Sequence, residues 1–113
     1  MSRRALLLAY ADRLHDLAAG SVVADAAIHQ ALGLRGKASA YTRADAAARS
    51  LLPLGFNERP GSFPSVGRVS ASLRRPGLHE GLPHGSHSQS GATFALAFCG
   101  AALRAWAMLE GSD

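Results

Sequence analysis

Apolar residues recur at three- and four-residue steps from the start of the chain, with Leu7, Tyr10, Leu14 and Leu17 on one stripe and Arg13 and Asp16 beside it. That spacing predicts a helix from Arg3 to about Ala19, capped by Ser2 and ended by Gly20. Ser21 then opens a second helix, Val22 to Leu32, with Val23, Ala27, Ile28, Ala31 and Leu32 along one side and Gly33 at the C-terminal cap. The pair reads as a helical hairpin over residues 1–33. A loop from Leu34 to Tyr41 leads to Thr42, which with Asp45 three residues on predicts the capped start of a third helix. Pro53 and Gly55 stop that helix near Leu52.

From Phe56 to Gly91 the helical period disappears and Gly, Pro, Ser and His dominate, so strands are expected there. The clearest candidate is Val66 to Leu73, where Val69, Ala71 and Leu73 alternate with Arg68, Ser70 and Ser72. A partner strand is expected around Asn57 to Phe63 and a third near Leu78 to Leu82, after the turn signal Pro76-Gly77. Residues 83–91 read as a flexible polar loop. The last segment, Ala92 to Leu109, is apolar nearly all round, which predicts a central helix. Its one charge, Arg104, opposes the negative helix pole and is expected to reach solvent past Trp106, while Gly100 permits close approach by a neighbour.

Composition narrows the fold. The 113 residues suit one domain, 1–113, and alanine (23) with leucine (16) dominates the apolar residues, so the core is built of small side chains. Val, Ile and Thr number seven together, too few for an all-β sandwich. The expected class is α+β, with about four helices packed around a small antiparallel sheet of two to three short strands. A single cysteine, Cys99, leaves no internal disulfide and fits a reducing cytoplasm. Met1 to Ala9 has the charged head and apolar centre of a signal peptide, but Tyr10, Asp12 and Arg13 end that stretch too early. Ala92 to Leu109 is barely long enough to span a bilayer and its alanines make it weakly hydrophobic, so a buried helix and no membrane partner are expected.

Charge adds little to that picture. Eleven of the twelve basic residues are arginine, against eight acidic residues, for a net +4. These cations are scattered rather than gathered into a nucleic-acid arm. Tyr10 to Leu32 could be read as helix-turn-helix, yet the second helix offers only Asp25, His29 and Gln30 where a recognition helix needs guanidinium groups. Aromatic residues are too few for a stacking platform. A nucleic-acid-binding regulator is therefore the alternative reading.

Candidate chemistry is sparse. His79, His84 and His87 lie within nine residues, with Glu80 beside the first. Gly81 and Pro83 prevent the helix that would put zinc ligands on one face, so no metal is expected and a His-loop metalloenzyme is the third reading. Ser86, Ser88 and Ser90 flank His87 without a Gly-x-Ser-x-Gly elbow. Gly33 to Ser39 echoes a phosphate loop but lacks its glycine spacing and a preceding strand. A catalytic site and a cofactor are not expected.

Three blocks, in order, resemble a known group: Ala24-Asp25-Ala26-Ala27-Ile28-His29-Gln30-Ala31-Leu32-Gly33; Tyr41-Thr42-Arg43-Ala44-Asp45-Ala46-Ala47 with Leu51-Leu52-Pro53-Leu54-Gly55-Phe56; and the closing run from Gly91 to Ala105. They are similar to blocks of small phage and prophage proteins of the phage ABA sandwich type. Phe94 stands where that group has Pro, and Phe56 where it usually has Trp. The resemblance spans residues 23–105, with a family-like core over 41–105. It implies helices packed on a short antiparallel sheet, no established catalytic residues, and an accessory role in phage biology, in the cytoplasm of a bacterial host cell.

The expected function is therefore binding to a host or phage protein, as monomer or homodimer, without catalysis. In its sharper form the protein is an anti-CRISPR-like inhibitor of a bacterial defence system, with a CRISPR effector component as partner. The candidate contacts are Arg35, Lys37, Arg68, Arg74 and Arg75, since exposed guanidinium groups and a polar loop suit recognition of another protein's surface.

Overall fold

The computed structural model describes residues 2–59, 69–74 and 86–110. Four helices and three strands follow in the order α1 (Arg3–Asp16), α2 (Val22–Ala31), α3 (Asp45–Arg49), β1 (Asn57–Arg59), β2 (Val69–Arg74), β3 (Ser86–Gly91) and α4 (Phe94–Leu109). The class is α+β, as the composition implies.

α4 occupies the centre. Its residues from Ala95 to Leu103 are all buried, with α1, α3, β2 and β3 packed against it. Alanine and glycine make that possible, because only small side chains let one helix be surrounded at close range. Thr93 starts it by accepting the Leu96 amide at 3.2 Å, two residues later than the hydropathy pattern predicts.

The sheet is antiparallel in the order β1-β2-β3. Ala71 and Leu73 of β2 pair with Gln89 and His87 of β3 and face α4, while Ser72 and Ser88 meet hydroxyl to hydroxyl, 2.8 Å apart, on the other face. The alternation predicted for β2 holds at Ala71 and Leu73, whereas Val69, on the same side of the pattern, is exposed; β1 begins at Asn57 as expected, and positions 60–63 and 66–68 of the two predicted strands lie outside the described residues. The third strand differs from the prediction. Ser86–Gly91, predicted as loop, is β3, and residues 78–82 and 83–85 lie outside the described residues. Its period of two is carried by His87, Gln89 and Gly91 against Ser86, Ser88 and Ser90, so both sets are polar or small and hydropathy does not separate them.

The third helix is shorter than predicted. α3 covers only Asp45–Arg49, and its N-cap, Ala44, makes no side-chain bond. Thr42 is committed elsewhere. Its amide and hydroxyl both donate to Asp25 Oδ1, at 2.7 and 2.6 Å, and the hydroxyl accepts the Ser21 amide at 2.9 Å. Arg43 Nε completes the node on Asp25 Oδ2 at 2.7 Å. Gly20 lets the chain pass so close that a β-carbon there would collide with the Thr42 carbonyl. α1 likewise stops at Asp16 rather than Ala19, because Leu17 is extended and swings the chain toward this node.

Candidate functional site

Of the five candidate contacts, Arg68 and Arg75 lie outside the described residues. Arg74 ends β2, half-buried and already engaged with other groups. Arg35 and Lys37 share the loop between α2 and α3, both exposed, and make no ion pair or hydrogen bond among the described residues. The structure therefore joins two of the five in one place.

That loop is built from its ends. α2 closes in a Schellman motif, with the Gly33 amide donating to Gln30 O and the Leu34 amide to His29 O, each at 3.1 Å. Gly33 takes φ +66° to allow it, and Gly36 takes φ +75° at the tip. His29 then clamps the loop. Its Nε2–H donates to the Gly36 carbonyl at 3.0 Å. Since a carbonyl only accepts, Nδ1 is left to receive the Tyr41 hydroxyl at 2.7 Å, with the two rings stacked 6.0 Å apart. Tyr41 is buried, and its carbonyl accepts from Cys99 Sγ of α4 at 3.0 Å. The tip that carries Arg35 and Lys37 is thus tied to the central helix, and Leu34 stands 40 % exposed beside them. In the sequence His29 is only one of the three polar groups of the second helix. Its two bonds to the loop were legible only once Tyr41 and Gly36 were placed in space.

A second feature is an open cleft of about 640 Å³ between α1, β3 and α4. Arg104 crosses it rather than reaching past Trp106 to solvent. Its Nε donates to Gln89 Oε1 at 2.8 Å and its Nη2 to Asp12 Oδ1 at 2.6 Å. Gln89 Nε2 in turn donates to the Ala11 carbonyl of α1 at 2.7 Å. His15 Nδ1–H donates to the Ser90 carbonyl at 3.1 Å, covering one end of β3. Trp106 bonds elsewhere, to the Leu51 carbonyl at 2.8 Å. These polar groups stitch α1 to β3 and α4, so the cleft's chemistry is largely spent on the fold.

Of the three clustered histidines, His79 and His84 lie outside the described residues. His87 faces inward on β3 beside Phe56, and its Nε2 is buried without a partner. Burial, reinforced by the Arg104 charge, pushes its pKa below the ordinary histidine value. Among the described residues no group of three His, Cys, Asp or Glu is arranged to hold a metal ion. No described helix is long and apolar enough to cross a membrane. The helix-turn-helix reading finds no support in α2, whose exposed residues are Val22, Val23, Ala26 and Gln30, while Asp25 is buried in the Thr42 node.

The three sequence blocks meet in space, through Asp25 on Thr42 and Cys99 on Tyr41. Their most recognisable polar residues are accordingly structural. Compared with family models, with curated proteins and with solved structures, the chain matches none.

Proposed function

We propose that the protein is a non-enzymatic accessory protein of phage or mobile-element origin that works in the host cytoplasm by binding another protein. In its sharper form it inhibits a bacterial defence system, with a CRISPR effector component as the target. The order of the three sequence blocks supports the phage setting. The observation that carries the binding role is the loop at residues 33–40, which His29 and Tyr41 hold in shape while Arg35 and Lys37 stand exposed and, among the described residues, unpaired.

A preformed loop loses little conformational freedom on docking, so more of its contact energy appears as affinity. Two cations favour an acidic partner surface and speed encounter with it. Leu34 adds an exposed apolar side chain, which suits a protein surface better than a phosphate backbone. Nucleic acid is the second reading, on the net charge of +4.

Affinity capture from bacterial lysate tests this, comparing the native protein with Arg35→Glu/Lys37→Glu. The expected result is a protein retained by the first and lost with the second, which then binds directly when both are pure. Retention that survives charge reversal would remove the loop from the reading. Capture abolished by nuclease and falling steeply with salt would favour the nucleic-acid alternative.

A further inference from the structure

What the fold leaves open in the cleft between α1, β3 and α4 is a strip of backbone. β3 is an edge strand of the described sheet, paired with β2 on one side only. In an antiparallel ladder, residues that bond to the neighbouring strand alternate with residues whose amide and carbonyl point away from it. Two contacts assign that alternation in β3. The Ser90 carbonyl accepts from His15 of α1, a helix that packs against β3 and α4. Ser88 shares the direction of Ser90, and its hydroxyl lies 2.8 Å from that of Ser72, as suits the closer, non-hydrogen-bonded pairs of a ladder. His87 and Gln89 therefore bond to β2, while the Ser88 amide and carbonyl and the Ser90 amide face the cleft. Among the described residues nothing else bonds the Ser88 backbone.

This edge lacks the usual protection. Sheets guard their edges with short strands, charges, proline or bulges. β1, the opposite edge, has three residues and carries Glu58. β3 has six, in unbroken register with β2, and none is lysine, arginine, a carboxylate or proline. The cleft it faces, about 640 Å³, lies within the ~300–1,000 Å³ of sites that enclose a ligand.

The opposite wall sets the charge of the occupant. Asp12 and Asp16, one turn apart on α1, line the cleft with a single guanidinium, Arg104, which Asp12 already holds. Arg13, in the same turn, lines the slot toward α2 instead. Asp16 is exposed and forms no ion pair among the described residues, and as the last residue of α1 it adds its charge to the negative helix pole. A seat for a cation thus adjoins a seat for a strand.

We propose that the open edge of β3 takes up an extended, lysine- or arginine-bearing segment of a partner protein as a fourth strand, its backbone on Ser88 and a basic side chain on Asp16. Main-chain bonds supply the affinity and the cation selects the segment. The same carboxylates repel a phosphate backbone. This inference does not rest on the loop at 33–40, whose cations call for an acidic surface.

Amide hydrogen exchange and NMR on the full chain test it, with two capped synthetic probes, the hexapeptide Thr-Lys-Thr-Lys-Thr-Lys and its counterpart with glutamate for lysine. In the free protein the Ser88 amide is expected to exchange freely while those of His87 and Gln89 are protected. The lysine peptide at saturation should slow Ser88 exchange about tenfold and shift the Asp16 resonances. The glutamate peptide should do neither. Asp16→Arg should weaken the lysine peptide at least several-fold with unchanged circular dichroism. Ser88→Pro removes only an outward amide, so it should fold and lose the peptide. A Ser88 amide as protected in the free protein as that of Gln89 overturns the proposal, whether or not Ser88→Pro folds. So does a lysine peptide that leaves Ser88 exchange unchanged, or one that binds Asp16→Arg as well as the native chain. Arg35→Glu/Lys37→Glu should keep the peptide, so this inference and the partner-binding reading can fail separately.

Discussion

The Gln89 side-chain amide lies in the space that a β-carbon on residue 100 would occupy. Gly100 thus does more than ease helix packing: it opens the passage through which Gln89 reaches from β3, across α4, to the Ala11 carbonyl of α1. Arg104 holds the other end of the same amide. Gly100→Ala is expected to expel Gln89 and cost about 1–3 kcal/mol, the scale of hydrogen bonds lost from a buried site. If that is the cause, Gly100→Ala in a Gln89→Ala background should cost at least ~1 kcal/mol less than in the native protein. Urea denaturation of the four proteins reads the coupling, and strictly additive losses would mean that the clash lies elsewhere.

The node on Asp25 should rank its own members. Asp25→Ala strips the acceptor from the Thr42 amide and hydroxyl and from Arg43, so a loss of about 2–4 kcal/mol is expected. Thr42→Val keeps the shape and removes the hydroxyl, for about 1–2 kcal/mol. Arg43 is 47 % exposed, and solvent screening should hold Arg43→Ala under about 1 kcal/mol. Melting temperatures that place Arg43→Ala first would contradict this ranking.

His87 makes stability depend on acid. Its folded pKa is depressed, by burial first and by Arg104 second, so the folded protein binds fewer protons than the unfolded chain as pH falls. The contribution is fully present above the unfolded value of about 6.5 and is lost as pH drops from there through the lower folded value. His87→Leu should abolish that fall, and at neutral pH it should cost little, because no hydrogen bond to Nε2 is given up. An NMR titration that finds the His87 midpoint at or above about 6.5 would rule this out.

Cys99 should be silent in the native protein. Burial, with Asp25 nearby as the lesser cause, pushes its thiol pKa up, and Sγ donates to the Tyr41 carbonyl. Thiolate is the reactive form, so a disulfide reagent is expected to modify Cys99 only at the rate at which the protein opens. Rapid labelling under native conditions would show that α4 is not buried as described.

What the sequence conveyed was the part written in hydropathy. Ser2 and Ser21 are readable caps because each precedes a periodic apolar stripe, and both hydroxyls accept the expected amides at 3.1 Å. Val69, Ala71 and Leu73 betray β2 because serine separates them. β3 stayed hidden because its inward side chains, His87 and Gln89, are as polar as its outward serines. Thr42 looked like a cap because its alternative partner, Asp25, sits seventeen residues away, beyond what local spacing reveals. At the candidate site, Arg35 and Lys37 were visible as charges, but His29 as their clamp and the open edge of β3 needed the third dimension.

The long ties across α1 have a consequence for how the chain comes into being. Ala11 and Gln89 are 78 residues apart, and Asp12 and Arg104 are 92 apart. Closing such loops costs entropy before any contact rewards it, so a protein with the helix content of a fast folder should fold at the slower pace of mixed α/β domains. On the ribosome, α1 lacks its main packing partner until α4 has emerged. Nascent chains stalled before Phe94 should therefore be protease-sensitive and engaged by chaperones.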